Sequence, residues 1–320
     1  MFVGIDHGTV GIRFAGLKEG EGGGVSVFEL SRKKATVMVS DEIINEVETG
    51  LEIETEEIEL VALTYSMGDG FSTIKDIKAV RNRGVRSEKG AGARVGGGTR
   101  VFDAIKNAGI PTIMIPGIHA GSEKIDRRMK FFSHCASPEK VGVAYYIHKK
   151  GFENFIFADV SSNTVTMAVA NAILIGAMDA CLGSPGLYQG PIDLQTLREI
   201  EEGRIGATDA FSNAGVLRKK WMNAGVKNEE LVMDTLSLFA AMEISAMLVL
   251  MKDYGVGASD SEVFLTGSVG EKEEMKKRID RLLSIKAKTI TRYSAAIGCA
   301  EIAKDVFYGE KNILGIEVEL

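Results

Sequence analysis

The sequence predicts an α/β protein built from two related halves. An apolar segment near the N-terminus ends in Asp6 and a glycine-containing turn, and one at mid-chain ends in Asp159 and a turn of Ser, Asn and Thr. A third apolar segment, residues 263–265, runs into a turn containing Gly267 and Gly270. Such turns present N–H groups and hydroxyls to an anion, while the acid holds a metal or water beside it. The pattern therefore predicts phosphate chemistry.

Composition and charge narrow the class of protein. With 320 residues, 45% of them hydrophobic, the chain is long enough for two domains with sizeable cores. A formal charge of −6 argues against a nucleic-acid or anionic-membrane surface, because either needs a concentrated basic face. Small-molecule substrates fit better.

Cysteine spacing and the N-terminus bear on metals and localisation. Cys135, Cys181 and Cys299 form no C-x-x-C pair, so local spacing suggests neither a zinc nor an iron–sulfur site. Asp6 interrupts the first apolar run before a signal-peptide core forms, so we expect a cytoplasmic protein.

The longest apolar segment, residues 231–251, is interpreted as a buried or interface helix. It contains Asp234 and Glu243, whose charges would be costly in lipid, so no membrane span is predicted. An interface helix favours a homodimer.

The first half predicts a three-stranded meander followed by alternating helices and strands. Ser40 is a suitable N-cap, and Asp41 and Glu42 favour the positive end of the helix dipole. The predicted strands are 3–5, 12–17, 25–30, 60–65 and 110–116, and the predicted helices are 41–50, 101–108 and 139–150.

Residues 78–100 are rich in Arg and Gly and lack a periodic apolar face. Such a loop suits an anionic substrate, because Arg offers a planar fork and Gly lets the backbone close over a ligand. A mobile surface loop is the alternative. Ser66 and Asp69, where a strand ends, either face a ligand or form a solvated turn.

The second half is expected to repeat the meander and to end in helices. Strands are predicted at 154–159, on both sides of a turn at Asn171, and at 288–291. A single helix over 165–175 is the alternative to the two strands around Asn171, but the similarity of the two halves favours the strands. Helices are predicted at 194–202, 209–214, 231–253, 272–284 and 294–308. The expected domains are residues 1–152, joined by a C-terminal helix at about 294–320, and residues 153–293.

The three turns resemble, in order and spacing, the phosphate-one, phosphate-two and adenosine motifs of the acetate and sugar kinase, heat-shock chaperone and actin superfamily. The resemblance covers nearly the whole chain and implies two ribonuclease-H-like, actin-like ATPase lobes with a central cleft for ATP and Mg. Residues 131–136 are similar to a Phe-His-containing segment of acetate kinases, and residues 97–99 to butyrate kinases. The whole sequence resembles the methanogenesis marker protein 12 family of methanogenic archaea, whose name gives no reaction.

The resemblance implies a set of cofactor and metal residues. Asp6, Asp159 and Glu271 would be associated with the metal, and the first two also with catalysis. The cofactor-binding residues would be Gly8 and Thr9 on one side of the phosphates, Ser161, Ser162 and Thr164 on the other, and Gly267, Ser268 and Gly270 against adenosine.

It also implies groups that act on the transferring phosphoryl group. His134 matches a histidine that helps bind this group in acetate kinases, where positive charge or hydrogen bonds stabilise the transition state. Arg83, Arg100 or Arg128 would supply the arginine. A single histidine after a strand is more often structural. The alternative is that His119 and His134, with Arg127 and Arg128 between them, line the cleft.

The chain departs from acetate kinases at both acids. Those enzymes have Asn where this chain has Asp6, and His where it has Asp159. Ser161 and Ser162 replace the usual glycine pair, so Cβ atoms lie where the γ-phosphate is expected. Nucleotide binding is thus a safer prediction than turnover.

Several functions remain open. The first is a Mg-ATP-dependent phosphotransferase acting on a small carboxylate or hydroxyl acceptor, linked to methanogen metabolism. The second is a nucleotide-operated binding module or regulatory ATPase that a protein partner reads. A redox-activating ATPase is a third possibility, and it would need cysteines of two paired subunits to share an iron-containing cluster. If both acids only formed turns, the order of the three motifs would have no explanation.

Overall fold

The computed structural model describes residues 1–20, 23–87, 96–219 and 229–320. Over these residues the chain divides into two compact units, Met1–Phe152 with Tyr293–Leu320, and Glu153–Arg292. Each unit contains one large sheet against which helices pack.

Each unit begins with three strands, and helices follow them in the chain. The strands are β1 (Phe2–Asp6), β2 (Gly11–Leu17), β3 (Val25–Ser31), β4 (Leu60–Leu63), β5 (Ile74–Asp76), β6 (Thr112–Met114), β7 (Ile118–His119), β8 (His134–Ala136), β9 (Phe155–Val160), β10 (Thr164–Ala170), β11 (Ile173–Met178), β12 (Glu262–Thr266), β13 (Lys288–Thr289), β14 (Asn312–Ile313) and β15 (Ile316–Glu319). The helices are α1 (Arg32–Val37), α2 (Ser40–Leu51), α3 (Gly97–Asn107), α4 (Glu139–His148), α5 (Leu194–Glu201), α6 (Ala207–Ser212), α7 (Glu229–Lys252), α8 (Gly267–Gly270), α9 (Glu273–Leu283) and α10 (Ser294–Phe307).

The two large sheets share one strand topology. In the first unit the order β3-β2-β1-β4-β6 forms the core of an eight-stranded sheet that continues through β5, β15 and β14. In the second unit the order is β11-β10-β9-β12-β13. Each core is an antiparallel meander whose first strand also pairs with a parallel strand from later in the chain. This is the arrangement expected of a ribonuclease-H-like lobe.

The central strand of each sheet carries the predicted acid at its C-terminal end. Asp6 is the last residue of β1, opposite Arg13 on β2. Asp159 lies one residue before the end of β9, opposite Thr266 on β12. Both strands are nearly continuous apolar runs, as expected of strands that are buried on both faces. The topology therefore brings each acid to the edge where parallel strands end.

The structure corrects several predicted boundaries. Helix α3 begins at Gly97, four residues before the predicted start, and the Thr99 hydroxyl accepts from the Gly96 N–H at that end. The short α1 and β5 were not predicted. Residues 88–95 of the predicted Arg/Gly-rich loop lie outside the described residues.

The predicted final helix over 294–308 is confirmed by α10, but the expectation that a C-terminal helix extends to about residue 320 is wrong. Helix α10 ends at Phe307, and the chain then forms β14 and β15, of which β15 pairs in parallel with β5. In β15 buried Ile316 and Val318 alternate with exposed Glu317 and Glu319. This period of two is a strand pattern, too short to stand out beside the helix before it.

Helix α7 is, among the described residues, the one helix long and apolar enough to span a membrane by length and composition. It packs against β9 and β10, and 44% of its most apolar window is buried, so a core helix accounts for its composition. Leu238, Met242 and Val249 are exposed along its outer side. The homodimer stays a prediction.

Close packing of α4 on α10 generates a stability prediction. A Cβ at Gly298 would lie 1.8 Å from the Gly142 carbonyl oxygen, so Gly298→Ala must push the two helices apart. We expect a loss of about 1–3 kcal/mol in the free energy of unfolding, measured by urea denaturation, despite the better helix propensity of Ala. Gly24→Ala is the control, because a Cβ there meets nothing within 4 Å. Equal stability of the two variants would contradict the packing argument.

Candidate nucleotide-binding turns

In the first unit a ladder of charges crosses three strands at the end of β1. Arg13 Nη1 donates to Asp6 Oδ2 at 2.9 Å, and Arg13 Nε donates to Glu29 Oε2 at 3.2 Å. Strand register produces the ladder, because Asp6 pairs with Arg13 and Arg13 with Glu29. The guanidinium is thereby fixed between two carboxylates.

The second oxygen of Asp6 has no such partner. Asp6 is 2% exposed, and its Oδ1 is buried without a hydrogen-bond partner among the described residues. Burial raises the pKa of Asp6 to about 6, Arg13 opposes the rise, Glu139 adds to it and Lys140 opposes it. An oxygen left open in this way is suited to a metal ion or its water.

Glu139 and buried Lys140 form the first turn of α4. Lys140 Nζ lies 3.3 Å from Glu139 Oε1, which also accepts from the Ser137 hydroxyl at 3.0 Å. Since both charges act on Asp6, this helix start belongs to the same electrostatic site.

The turn after Asp6 is braced by the start of α3. His7 Nε2 lies 3.0 Å from the Gly98 carbonyl oxygen, and Arg32 Nη1 donates to the Gly8 carbonyl at 3.1 Å. Burial and the nearby Arg32 lower the pKa of His7 to about 3, so the ring is neutral and Nε2–H donates. A Cβ at Gly98 would lie 2.7 Å from Arg32 Nη2. The glycines at the start of α3 thus permit this approach.

Of the predicted phosphate-one residues, Gly8 is partly buried and Thr9 is exposed. A Cβ at Gly8 would lie 2.7 Å from the Gly11 carbonyl and 3.0 Å from Arg13 Nη1. The turn is therefore tight, with its hydroxyl at the surface.

In the second unit the predicted phosphate-two and adenosine turns touch. The Ser161 hydroxyl donates to Asp159 Oδ1 at 2.7 Å and accepts from the Ser268 N–H at 3.3 Å. Gly267 has a φ of +89°, and a Cβ on it would lie 2.2 Å from Asp159 Oδ1 and 2.3 Å from Ser161 Oγ. Only glycine suits both the backbone angle and the space.

The other predicted residues of these turns have different environments. Ser162 is buried, and buried Thr164 donates from its hydroxyl to the Pro185 carbonyl at 2.9 Å. A Cβ at Gly270 would make only ordinary contacts, 3.6 Å or longer. Glu271 Oε1 accepts from the Arg292 N–H, so its carboxylate ties two segments of the unit together. Its metal role stays a prediction.

A cavity of about 840 Å³ borders the Gly267–Gly270 turn of the second unit. Val269 and Lys272 line it from the adenosine turn, and Leu187, which donates to the Ser161 carbonyl at 3.0 Å, lines it from the other side. Leu217 and Leu236 add apolar surface, and Glu274 and Arg278 are charged. Its volume lies within the range of small-molecule sites.

Two of the predicted arginines are engaged by acids. Arg83 makes a two-point contact with Asp103, both bonds 2.9 Å, and Arg128 makes one with Asp126 at 2.9 and 2.8 Å. Arg100 is exposed on α3. The guanidinium that contacts Asp6 belongs to Arg13, which the sequence pattern did not single out.

His134 lies on β8, opposite His119 on β7, in a separate two-stranded sheet. The His119 ring is fully engaged by backbone, since Nε2 lies 2.9 Å from the Phe71 carbonyl and Nδ1 accepts from the Gly121 N–H at 3.0 Å. This supports the structural interpretation of His119. The phosphoryl-binding role of His134 stays a prediction.

Sequence reasoning missed Arg13, Arg32, Glu139 and Lys140. The signal for Arg13 is a charged residue inside an otherwise apolar strand that pairs with the acid-bearing strand. The signal for the other three is weak, because charges in the first turn of a helix are common. Long-range contacts, absent from any local pattern, bring them to the turn.

Comparisons with known proteins identify the family. No family model matches the chain. The chain is 51% identical to a UPF0285 protein of Methanosarcina mazei over 99% of both chains. The chain belongs to the UPF0285 family. Another UPF0285 protein, from Methanocaldococcus jannaschii, is 42% identical over 99% of this chain and 98% of its own length. The predicted relation to a family of methanogens is confirmed.

Solved structures confirm the fold class. An acetate kinase from Porphyromonas gingivalis superposes with a TM-score of 0.60 over 95% of this chain and 98% of its own, at 12% sequence identity. A propionate kinase from Francisella tularensis gives 0.58 over 95% and 98%, also at 12%. The UPF0285 chain therefore has the two-lobed kinase fold, and identities this low show the fold alone.

The raised pKa of Asp6 predicts a pH-dependent cost to stability. The ordinary value is 3.8 and the folded value about 6, so between these pH values the folded protein holds a proton that the unfolded chain has lost. The stabilising contribution of the protonated Asp6 to the folded state is fully present below pH 4 and is lost as the pH rises through 6. As the pH rises from 4 to 7, the free energy of unfolding of Asp6→Asn should come to exceed that of the wild type by up to about 3 kcal/mol. Urea denaturation at several pH values measures this difference, and a constant difference would contradict the assignment.

Gly267 and Gly270 provide a matched pair within one turn. Gly267→Ala would place a Cβ against Asp159 and Ser161 at a positive φ, whereas Gly270→Ala meets no close atom. We expect Gly267→Ala to lower the free energy of unfolding by about 1–3 kcal/mol and Gly270→Ala to change it by less than about 0.5. Thermal or urea unfolding of both variants is the measurement. Equal effects would mean that the turn is looser than its geometry indicates.

Proposed function

We propose that this UPF0285 protein binds Mg-ATP and transfers a phosphoryl group between ATP and a small carboxylate or hydroxyl acceptor, in the manner of acetate and butyrate kinases. The observation that carries the proposal is the contact of Gly267 with Asp159 and Ser161. It brings backbone, a hydroxyl and one carboxylate together at the meeting point of two turns, so closely that a Cβ at 267 would collide with Asp159 and Ser161.

The second unit offers suitable groups for each part of a nucleotide. The Ser161 and Ser162 turn and the N–H groups at 267–270 suit phosphate oxygens. The cavity beside Val269 and Leu187 is apolar on several sides and suits a purine base.

The first unit supplies a fit for magnesium. Among the described residues no group of three or more His, Cys, Asp or Glu side chains could cage a metal. Magnesium seldom needs such a cage, because it keeps several waters and uses one or two carboxylates with substrate phosphates. Asp6, whose buried Oδ1 has no hydrogen-bond partner among the described residues, would hold such an ion or its water. Asp159 is the second candidate for this role. The bound ion would supply charge neutralisation at the phosphates.

Transfer to an acceptor also needs positive charge from the chain. Arg13 and Lys140 act on Asp6, and both are fixed by neighbouring acids. Of the three predicted arginines, Arg83 and Arg128 are paired with acids, which leaves Arg100, exposed on α3, for this role. We assign to Arg100 the binding of the acceptor.

The occurrence of relatives in methanogens supports a reaction in methanogen metabolism.

A nucleotide-operated binding module is the second candidate function. The Ser161 hydroxyl bridges Asp159 and the Ser268 N–H, so it occupies part of the space that a glycine would leave to a terminal phosphate. The two-point pairing of Arg83 and Arg128 with acids also favours binding over transfer. In this case ATP binds, turnover is slow, and a protein partner recognises the bound state.

Calorimetric titration with ATP and ADP, with and without Mg, tests nucleotide binding. We expect saturable binding, and we expect Asp159→Ala to weaken it by about tenfold or more because it removes the acid at the meeting of both turns. Asp76→Ala is the matched control, since Asp76 also ends a strand and its carboxylate accepts, within the described part of the chain, only the local bond from the Lys78 N–H. Absence of binding of either nucleotide by the wild type would overturn the proposal.

An acceptor screen separates the two candidate functions. Release of ADP that rises with a small carboxylate or hydroxyl compound supports the kinase. Nucleotide binding with no acceptor-stimulated turnover supports the binding module. Arg100→Ala should raise the acceptor KM and leave the Kd for ATP unchanged if this arginine contacts the acceptor.

A further inference from the structure

A buried carboxylate lies in the middle of α7, away from the proposed nucleotide contacts. Glu243 is 3% exposed. Its Oε2 accepts from the Thr166 hydroxyl on β10 at 2.7 Å, and its Oε1 accepts from the Ser184 N–H at 2.6 Å. Burial raises the pKa of Glu243 to about 7, bonds from Thr166 and Ser184 oppose the rise, and Asp179 adds to it. Burying a carboxylate costs free energy unless hydrogen bonds replace its contacts with water. Thr166 and Ser184 supply those hydrogen bonds to Glu243.

The chain after β11 is shaped around this carboxylate. A Cβ at Gly183 would lie 2.1 Å from Glu243 Oε1, so the backbone at 183 rests directly on the acid. The next N–H, that of Ser184, donates to the same oxygen. Glu243 therefore fixes the position of residues 183 and 184.

The same segment continues onto the phosphate-two turn. The N–H of Leu187 donates to the Ser161 carbonyl at 3.0 Å, and those of Tyr188 and Gln189 both donate to the Ser162 carbonyl at 2.9 Å.

Two further contacts close the segment onto the turn. The Thr164 hydroxyl donates to the Pro185 carbonyl at 2.9 Å. A Cβ at Gly186 would lie 2.3 to 2.5 Å from the backbone of Asn163. Residues 185–189 thus hold the turn from one side along its whole length.

We propose that Glu243 is a positioning residue for the phosphate-two turn. It anchors residues 183 and 184 from α7, and residues 185–189 transmit that anchor to Ser161 and Ser162, whose orientation sets the grip on the nucleotide phosphates. The role rests on the proposed nucleotide binding, and Glu243 itself touches no ligand.

Hydrogen exchange in the nucleotide-free protein tests the anchor independently of any ligand. In Glu243→Ala the amides of Leu187, Tyr188 and Gln189 should exchange about tenfold faster, because the anchoring hydrogen bond from the Ser184 N–H is lost, while the amides of β10 keep their protection. Glu243→Gln should retain most protection, since its amide oxygen still accepts from Ser184. Ser237→Ala is the control: Ser237 is also buried on α7, but it bonds only to helix carbonyls. Unchanged exchange at 187–189 in Glu243→Ala would overturn the proposal.

Binding measurements test the consequence for the phosphates. Glu243→Ala should raise the Kd for ADP about tenfold and leave that for adenosine unchanged, because adenosine lacks the groups that the turn holds. Glu243→Gln and Ser237→Ala should bind ADP as the wild type does. Equal losses for ADP and adenosine would indicate a general defect in folding and would overturn a positioning role.

A second variant guards against misfolding of Glu243→Ala. Gly183→Ala would push the same segment off the acid while leaving α7 and its carboxylate intact. It should accelerate exchange at 187–189 and weaken ADP binding selectively. If the wild type binds no ADP, the proposed nucleotide binding is wrong. The positioning role of Glu243 is then wrong as well, even if the exchange data show that Glu243 holds residues 187–189. If the wild type binds ADP and both variants bind it equally well, the positioning role alone fails.

Discussion

The close approach of the Gly267 backbone to the Asp159 carboxylate sets the geometry of the second unit's candidate site. Parallel pairing of β9 with β12 places Thr266 opposite Asp159, so the chain leaving β12 must turn directly over the acid. The turn is possible because Gly267 adopts a positive φ and carries no Cβ. The direction of the chain after that turn places the Ser268 N–H against the Ser161 hydroxyl and places Val269 beside the cavity.

The first unit uses the same strand topology with different chemistry. Asp6 also ends the central strand, but an arginine from the neighbouring strand holds one of its oxygens and leaves the other open. Burial and the nearby Glu139 raise the pKa of Asp6. The carboxylate of Asp159 instead accepts a hydrogen bond from the Ser161 hydroxyl. The two acids thus occupy equivalent positions in their sheets and have different neighbours, a guanidinium for Asp6 and a hydroxyl for Asp159.

Particular residues show how far the sequence predicts the site. Asp6, Asp159 and Gly267 were found because an apolar strand followed by a small-residue turn is a local pattern. Arg83 and Arg128 are predicted to supply the arginine at the phosphoryl group, yet each is held by an acid. The partner of Arg128, Asp126, is only two residues away in the sequence, whereas Asp103 is twenty residues from Arg83. Glu243 drew attention only as a cost to a membrane span, and its contacts with Thr166 and Ser184 depend on residues 59 to 77 positions away.

The sequence by itself determined the two-half α/β organisation, the two acids with their turns, and the family resemblance. These features depend on hydrophobic period and turn chemistry, which act over a few residues. Only the tertiary structure decided which charges surround each acid, where the C-terminal strands join the sheet, and how α7 reaches the phosphate-two turn. Those outcomes depend on strand register and helix packing between distant segments, and no local pattern records them.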